Sequence, residues 1–477
     1  MDTTFDVRVW KTEVYQGKRT TSYYVRWRVA GKKWREPFAG KELAEGFRSA
    51  LLIAARKGEA FYIETGRPVS MERAGRTSLS WYALACAYAD LKWNRSAATT
   101  RRTHAEALTA VTTAMFNTTN GKPDDKLLRH ALNRWAFNKT RRDDPTCPDK
   151  VREALKWIAS HTRPTSALAK PDVLRAVLDS LTVKLDGGPA ASSVVSRRRK
   201  VFNTCLEYAV ERGALSHNPI PALKWTVPKT THAVDRRVVA NPAQARSLLA
   251  AVAGIRLSGT RLVAFYGCLY FAALRPEEAG ALTRANLSLP EKGWGELHLS
   301  VAEPHAGKDW TDSGKTRDRR QLKQRAVGEG RTVPCPPELT ALLHQHIEQF
   351  GTAKDGRLFR GERNEDELPK GTINRYWRKA RAAVFTPEVY ASPLAATPYD
   401  LRHAAVSTWL NGGVPATDVA AWAGHSVEIL LKIYAKCLDG GAEQLRKRIS
   451  AALGSDDAPE TLGRIWDGQP IKTVNSP

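Results

Sequence analysis

Hydrophobic positions recur every second residue at the start of the chain. Val7 and Val9 alternate with Asp6 and Arg8, and Val25, Trp27 and Val29 alternate with Arg26 and Arg28. Period two is the signature of a strand with one apolar face. The opposite face is basic, and Lys32, Lys33 and Arg35 continue it beyond a turn signal at Gly31. From Lys41 to Lys57 the period lengthens, and Leu43, Phe47, Leu51 and Ala54 fall on one helical stripe. Residues 1–66 therefore predict a small sheet backed by one helix, a shape that suits the major groove of a nucleic acid duplex.

From residue 78 to 225 the pattern is helical nearly throughout. The predicted helices are Leu79–Trp93, Thr103–Phe116, Asp125–Phe137, Lys150–His161, Pro171–Val183 and Ser192–Arg212. Pro171 and Asp172 signal a start and Gly213 a stop. Arg197, Arg198, Arg199 and Lys200 form a basic run inside the last of these helices and are candidate phosphate contacts. Asn218-Pro219-Ile220-Pro221 ends the helical text. Residues 226–240 carry Pro228, Lys229, Arg236 and Arg237 with little periodicity and read as an exposed basic linker. A larger domain follows over 241–453, and a tail over 454–477. The expected fold class is mainly α with small β-sheets, that is, α+β. The sequence shows no internal repeat.

Composition narrows the partners. The 477 residues hold 74 Lys and Arg against 49 Asp and Glu, a net charge of +25. Such an excess points to a polyanion, with nucleic acid foremost, because each neutralised phosphate releases counterions. Six cysteines (Cys86, Cys147, Cys205, Cys268, Cys335, Cys437) form no CxxC pair, which excludes a zinc ribbon or a dithiol redox motif. They read as small buried hydrophobes in a reducing cytoplasm. No apolar run approaches the roughly 18 residues of a membrane span, and the start of the chain lacks a secretory pattern, so a cytoplasmic protein is expected.

Candidate chemistry lies in the third domain. The apolar helix ending at Leu274 meets Arg275, and Pro276 opens the next helix with Glu277 and Glu278 in its first turn. Arg275 is thus a fixed anion binder or an internal ion-pair residue. Glu296–Val301 and Arg331–Pro334 read as strands. The basic loop between them holds Gly314-Lys315-Thr316, then Arg317 and Arg319. Thr397-Pro398-Tyr399-Asp400-Leu401-Arg402-His403 enters an apolar helix closed by Gly412 and Gly413. His425 follows Gly424, Ser426 can cap the next helix, and that helix carries Tyr434. His344-x-His346 has no further ligand at metal-binding spacing and reads as surface.

In this order and spacing these residues resemble the tyrosine recombinase, or phage integrase, family. Leu274-Arg275-Pro276-Glu277-Glu278 is similar to its first arginine motif, and Gly314-Lys315-Thr316 to its β-hairpin lysine. Asp400-Leu401-Arg402-His403 is similar to its second arginine motif, and Gly424-His425-Ser426 with Tyr434 to its closing histidine and nucleophile. The resemblance covers about 241–450. It implies a mixed α/β catalytic domain, with 78–225 as a helical core-binding domain and 1–66 as an arm-site DNA-binding module.

What the resemblance implies for function is a site-specific DNA recombinase working through a 3′-phosphotyrosine. Arg275 and Arg402 would grip the phosphate, Tyr434 attack it, Lys315 protonate the leaving 5′-oxygen, and His425 orient an oxygen. Glu278 would hold Arg275, and His403 would support Arg402. Tyr399 stands where the family usually has histidine, and a phenol is a poorer base near neutral pH.

Arg26, Arg28, Lys32, Lys33, Arg35, Arg197, Arg198, Arg199, Lys200, Arg317 and Arg319 are the candidate DNA contacts. No cofactor or metal is implied. The implied partners are double-stranded attachment sites, further copies of the chain forming a tetramer on two sites, and a directionality factor. The apolar tail segment Thr461–Trp466 has two places to dock, its own domain or a neighbouring copy. Two other readings remain: a DNA-binding architectural factor with a disabled site, and an enzyme like a type IB topoisomerase, which shares this chemistry.

Overall fold

The computed structural model describes residues 2–453 except 17–20, 72–78, 185–186, 227, 230–232, 256–258, 324, 327, 363–366, 435–436 and 438–441. The tail expected to dock therefore lies outside the described residues. The chain divides into two compact units, Met1–Thr230 and Thr231–Pro477. It is an α+β protein, and helices make up most of it.

The first unit opens with an antiparallel sheet centred on the strand Thr21–Val29. Val7–Val9 and Glu13–Gln16 pair along one edge of that strand, and Lys32–Phe38 along the other. The last pair is joined through Ala30 and Gly31, both at positive φ (46° and 81°), as a tight two-residue hairpin requires. Val25, Trp27 and Val29 are fully or almost fully buried. The helix Lys41–Arg56 covers them through Ala44, Leu51 and Ala54, with Phe47 partly buried. Leu43 is 66% exposed, so the buried stripe starts one residue later than the sequence suggests.

Strand register also divides the expected basic face. Arg28 stands between Arg8 and Lys33, and Arg26 stands opposite Arg35. All five therefore share the outer face. Lys32 is paired with Val29 and so projects to the inner side, where its ammonium sits 4.4 Å from the Trp34 ring centroid. It does not belong to the basic face. An ion pair to Glu13 also partly neutralises Arg26.

Helices Trp81–Trp93, Ala98–Ala114, Asp125–Ala131, Asp149–His161, Pro171–Ser180 and Ser192–Glu211 follow. Their core is aromatic: Trp81 meets Phe202 edge-on at 5.8 Å and donates its indole N–H to Thr112 Oγ1 at 2.9 Å. The basic run on the last helix is split by its periodicity. Arg197 and Lys200 are exposed. Arg198 instead bonds the carbonyls of Leu181 and Val183 at 3.1 and 2.9 Å, closing the end of the preceding helical segment, and Arg199 is half-buried with an unpartnered Nε.

In the second unit the helix Gly259–Phe271 runs through the core, with nine buried residues in its 13. Helices Pro242–Ala253, Pro337–Phe350, Lys370–Val384 and Asp400–Asn411 contribute to the same core. A three-stranded antiparallel sheet, Leu287–Ser288, Gly295–Leu299 and Arg331–Cys335, adds Leu297, Leu299, Val333 and Cys335. The two ends of segment 234–240, expected in an exposed linker, are packed into this unit, while Asp235, Arg236 and Arg237 stay exposed. Val234 and Ala240 are buried, Val234 N–H bonds Ile433 O, and Val238 O accepts from Ala395 N–H. His346 is buried too, its Nε2 on Leu358 O, which corrects its reading as a surface residue. All six cysteines are buried and unpaired. Among the described residues no helix is long and apolar enough to cross a membrane.

Candidate active site

The site forms where three breaks in helical structure meet. The first follows Phe271. Ala273, fully buried, takes a left-handed conformation at φ 49°, which costs an L residue roughly 1 kcal/mol or more. That turn aims the Ala273 carbonyl at Arg402, which donates Nη1 to it. It also delivers Arg275 to the N-cap of the short helix Pro276–Ala279.

Arg275 is held from two sides. Its Nη1 donates to Glu278 Oε1 at 2.8 Å and its Nη2 to Gly424 O at 2.8 Å. Glu278 is 1% exposed and accepts the Arg275 backbone N–H at 2.9 Å as well. A second guanidinium completes this carboxylate. Arg331 binds it in a fork at 2.9 and 2.7 Å and fixes its own Nε on Trp422 O at 2.9 Å. Burial alone would raise the Glu278 carboxyl, but the charges of Arg331 and Arg275 outweigh it and hold the group down at about 2.

The sequence reading missed Arg331. Strand alternation carried the signal, because Arg331 shares the inward face with Val333 and Cys335. A charge at such a position needs a buried counterion.

The second break is Gly424, which ends the helix Ala416–Ala423 in the left-handed conformation, φ 65°. A Cβ there would lie 3.1 Å from Arg331 and 3.2 Å from Arg275 nitrogens, so glycine is needed both for the turn and for the close approach. The turn presents the Ala423 and Gly424 carbonyls to the two guanidiniums: Arg402 Nη2 bonds Ala423 O at 2.6 Å.

Arg402 is fully buried in the helix Asp400–Asn411. The carboxylate of Asp400 fixes the start of that helix by accepting from Thr397 N–H at 2.7 Å and its hydroxyl at 3.1 Å. Arg402 Nη2 also donates to His425 Nε2 at 3.0 Å. Arginine has only donors, so this bond puts the ring proton of neutral His425 on Nδ1. Burial, then the charges of Arg402, Arg275 and Arg331, push His425 down to about 3, which keeps it neutral. Two buried donors, Arg402 Nε and His425 Nδ1, have no hydrogen-bond partner among the described residues.

The third element is the helix Val427–Tyr434, capped by Ser426, whose hydroxyl accepts from Ile429 N–H at 3.3 Å. Tyr434, at its end, is 1% exposed. Its hydroxyl lies 2.9 Å from His403 Nδ1. Burial pushes the phenol up, and the positive charge of Arg402 acts against that shift. His403 is pushed down to about 4 by burial and then by Arg402. Tyr399 packs edge-on against His403 at 5.0 Å and lines a cleft of about 460 Å³ with Glu277, His305 and Lys370.

Arg275, Glu278, Arg402, His403, His425 and Tyr434 are thus brought together, with Tyr399 on their edge. Lys315 is exposed in the loop between Val301–Ala302 and Arg320–Gln321, and among the described residues no hydrogen bond joins its side chain to the cluster. Arg317, expected among the exposed DNA contacts, is instead turned inward. It is buried, and it donates to Glu303 O at 2.8 Å and Leu368 O at 2.7 Å. It fastens the stem of the loop that carries Lys315. Arg319 is 62% exposed at its side chain and pairs with Glu303 at 3.2 Å.

Solved structures similar to the chain are DNA integrases and site-specific recombinases. They include the Tn1549 transposon integrase in complex with transposon right end DNA, at 15% identity, TM-score 0.47, covering 68% of this chain and 98% of that one. The XerH recombinase bound to its difH substrate has 13% identity, TM-score 0.43 and coverage of 74% and 96%. A lambda integrase dimer bound to a core site has 13% identity, TM-score 0.42 and coverage of 64% and 93%. No protein-family model matches the chain, and no curated protein matches it.

Proposed function

We propose that this protein is a site-specific DNA recombinase that breaks and rejoins strands through a phosphotyrosine at Tyr434, moving a mobile element into or out of a chromosome. The observation that carries the reading is the site itself. Two buried guanidiniums lie beside a phenol, and Arg402 Nε and His425 Nδ1 are buried donors without acceptors. Unmatched buried donors cost roughly 1–3 kcal/mol each. A phosphodiester with its non-bridging oxygens would supply what they lack.

In this reading Arg275 and Arg402 hold the charge that builds on the phosphoryl oxygens in the transition state. Glu278 is their counterweight: with Arg331 it fixes Arg275 and leaves the cluster net positive for an anion. His425, neutral, donates from Nδ1 to a non-bridging oxygen. The Tyr434 oxygen attacks phosphorus and the bond to the 5′-oxygen breaks, giving a 3′-phosphotyrosine. Lys315, at the end of its loop, delivers the proton to the leaving oxygen. The phosphate ester keeps the energy of the broken bond, so rejoining is the same step in reverse. Duplex attachment sites are the substrate, and strand exchange between two sites requires four copies of the chain. The outer face of the N-terminal sheet, with Arg8, Arg26, Arg28, Lys33 and Arg35, supplies a second DNA contact.

The test separates binding from chemistry. Tyr434→Phe removes one oxygen from a buried ring and should bind duplex DNA with unchanged affinity while losing all strand transfer. Strand transfer by the variant would refute the assignment. Relaxation of any supercoiled plasmid by the native protein, without dependence on sequence, would instead mark a topoisomerase.

A further inference from the structure

Strand attack requires the phenol to lose its proton, and none of the roles above takes it. We propose that His403 is the catalytic base for Tyr434, an inference that rests on the phosphoryl-transfer reading above. Its Nδ1 stands 2.9 Å from the Tyr434 hydroxyl, within reach of direct proton transfer. The two rings are 5.6 Å apart between centroids and inclined by 59°. With its ring proton on Nε2, His403 offers Nδ1 as the acceptor.

The neighbours leave no competitor among the described residues. His425 spends its Nε2 lone pair on Arg402, and its ring centroid is 6.3 Å from that of Tyr434. Arg275 and Arg402 are cations without lone pairs to offer. Tyr399 is a phenol, and its ring braces the edge of His403. Because His403 follows Arg402 directly in the helix Asp400–Asn411, one element positions both the anion binder and the base.

The environment keeps the acceptor free but makes it a weak base until an anion binds. Burial and the nearby Arg402 hold His403 down at about 4, so it is unprotonated and ready to accept at neutral pH. A phosphodiester bound on Arg402 offsets that guanidinium and raises the proton affinity of the imidazole when the nucleophile must be activated. The step balances. The phenolic proton moves to Nδ1 as the Tyr434 Oη–P bond forms, the P–O5′ bond breaks, and the leaving oxygen takes its proton from Lys315.

The test uses a nicked duplex built on the cleavage site, which is first located by sequencing covalent adducts formed on DNA flanking the protein's own gene. A second duplex has sulfur in place of the bridging 5′-oxygen, since a thiolate leaves without protonation. Single-turnover adduct formation is measured for the native protein, His403→Ala, His403→Asn and Lys315→Ala, with DNA affinity as the control for folding. His403→Asn keeps an acceptor oxygen near Nδ1 but cannot hold the proton. Both His403 variants should bind DNA normally yet cleave about 10²- to 10⁴-fold more slowly on both duplexes. Added imidazole should partly restore His403→Ala, and Lys315→Ala should recover on the sulfur duplex alone.

The base role is overturned if His403→Ala cleaves within a few-fold of the native rate. It is equally overturned if the loss vanishes on sulfur, or if His403→Asn is fully active. Absence of any native adduct at the mapping step, on the DNA flanking the gene, would instead overturn the phosphoryl-transfer reading on which it rests.

Discussion

Replacing Glu278 with glutamine changes one oxygen to an amide nitrogen and keeps the shape of the side chain. The carboxylate accepts four hydrogen bonds, one from the Arg275 backbone, one from the Arg275 guanidinium and two from Arg331. Glutamine leaves two buried guanidiniums facing each other without a counterion, and its amide hydrogens point at one of them. Removing one partner of a buried ion pair costs about 3–5 kcal/mol, a large share of the roughly 5–15 kcal/mol that holds a domain together.

The depressed carboxyl of Glu278 leads to the same order of magnitude. Holding the carboxyl at about 2 rather than its ordinary 4.5 corresponds to about 3 kcal/mol at neutral pH. The folded value lies below the unfolded one. The contribution is therefore complete above about pH 4.5 and disappears as pH falls towards 2. Urea unfolding at pH 7 and at steps down to pH 2.5, followed by hydrogen exchange in the strand Arg331–Cys335, reads the second unit alone. Glu278→Gln should lose about 3 kcal/mol at pH 7 and should lack most of the native loss between pH 4.5 and 2.5. A loss below about 1 kcal/mol with the acid limb intact would refute the Arg–Glu–Arg arrangement as the support of Arg275.

Three further outcomes follow from the same geometry. Gly424→Ala puts a Cβ at φ 65° and 3.1–3.2 Å from two guanidiniums; it should cost at least roughly 1 kcal/mol in urea unfolding and reduce adduct formation far more than DNA binding. Lys315→Ala removes an exposed side chain and should leave the melting temperature within about 1 °C while slowing cleavage about 10²- to 10⁴-fold; a large stability loss would contradict the exposed position. Arg28→Ala with Lys33→Ala should lower the slope of log affinity against log salt by nearly 2, whereas Lys32→Ala, on the other side of the sheet, should leave it unchanged.

The sequence carried the ordering of the site and one of its contacts, Glu278 on Arg275, but not the rest of its wiring. Arg275, Arg402, His425 and Tyr434 were singled out by their order and spacing, through the resemblance to tyrosine recombinases, and not by any one local signal. The hydrogen bonds between them were not legible. Arg331 lies 53 residues from its partner Glu278, and Ala273 gives no sign of a left-handed turn because alanine rarely adopts one. Basic runs misled for a geometric reason. Arg317 and Lys32 look like their neighbours in the chain, yet a residue's place in a loop stem or its strand register turns one inward and the next outward. Leu43 failed similarly: the stripe holds at Phe47, Leu51 and Ala54, but at its first turn the smaller Ala44 faces the sheet. The linker reading failed at Val234 and Ala240, where isolated apolar residues in irregular chain dock on a core that the sequence does not place beside them.

In the proposed reaction the phenol at 434 bonds covalently to DNA. The direct measurement is to trap the adduct on a nicked duplex that loses its 5′-end after cleavage, digest protein and DNA, and locate the modified peptide by mass spectrometry. A single nucleotide-bearing peptide modified at Tyr434 should appear, and none from Tyr434→Phe. An adduct on another residue, or strand exchange with no adduct formed, would contradict it.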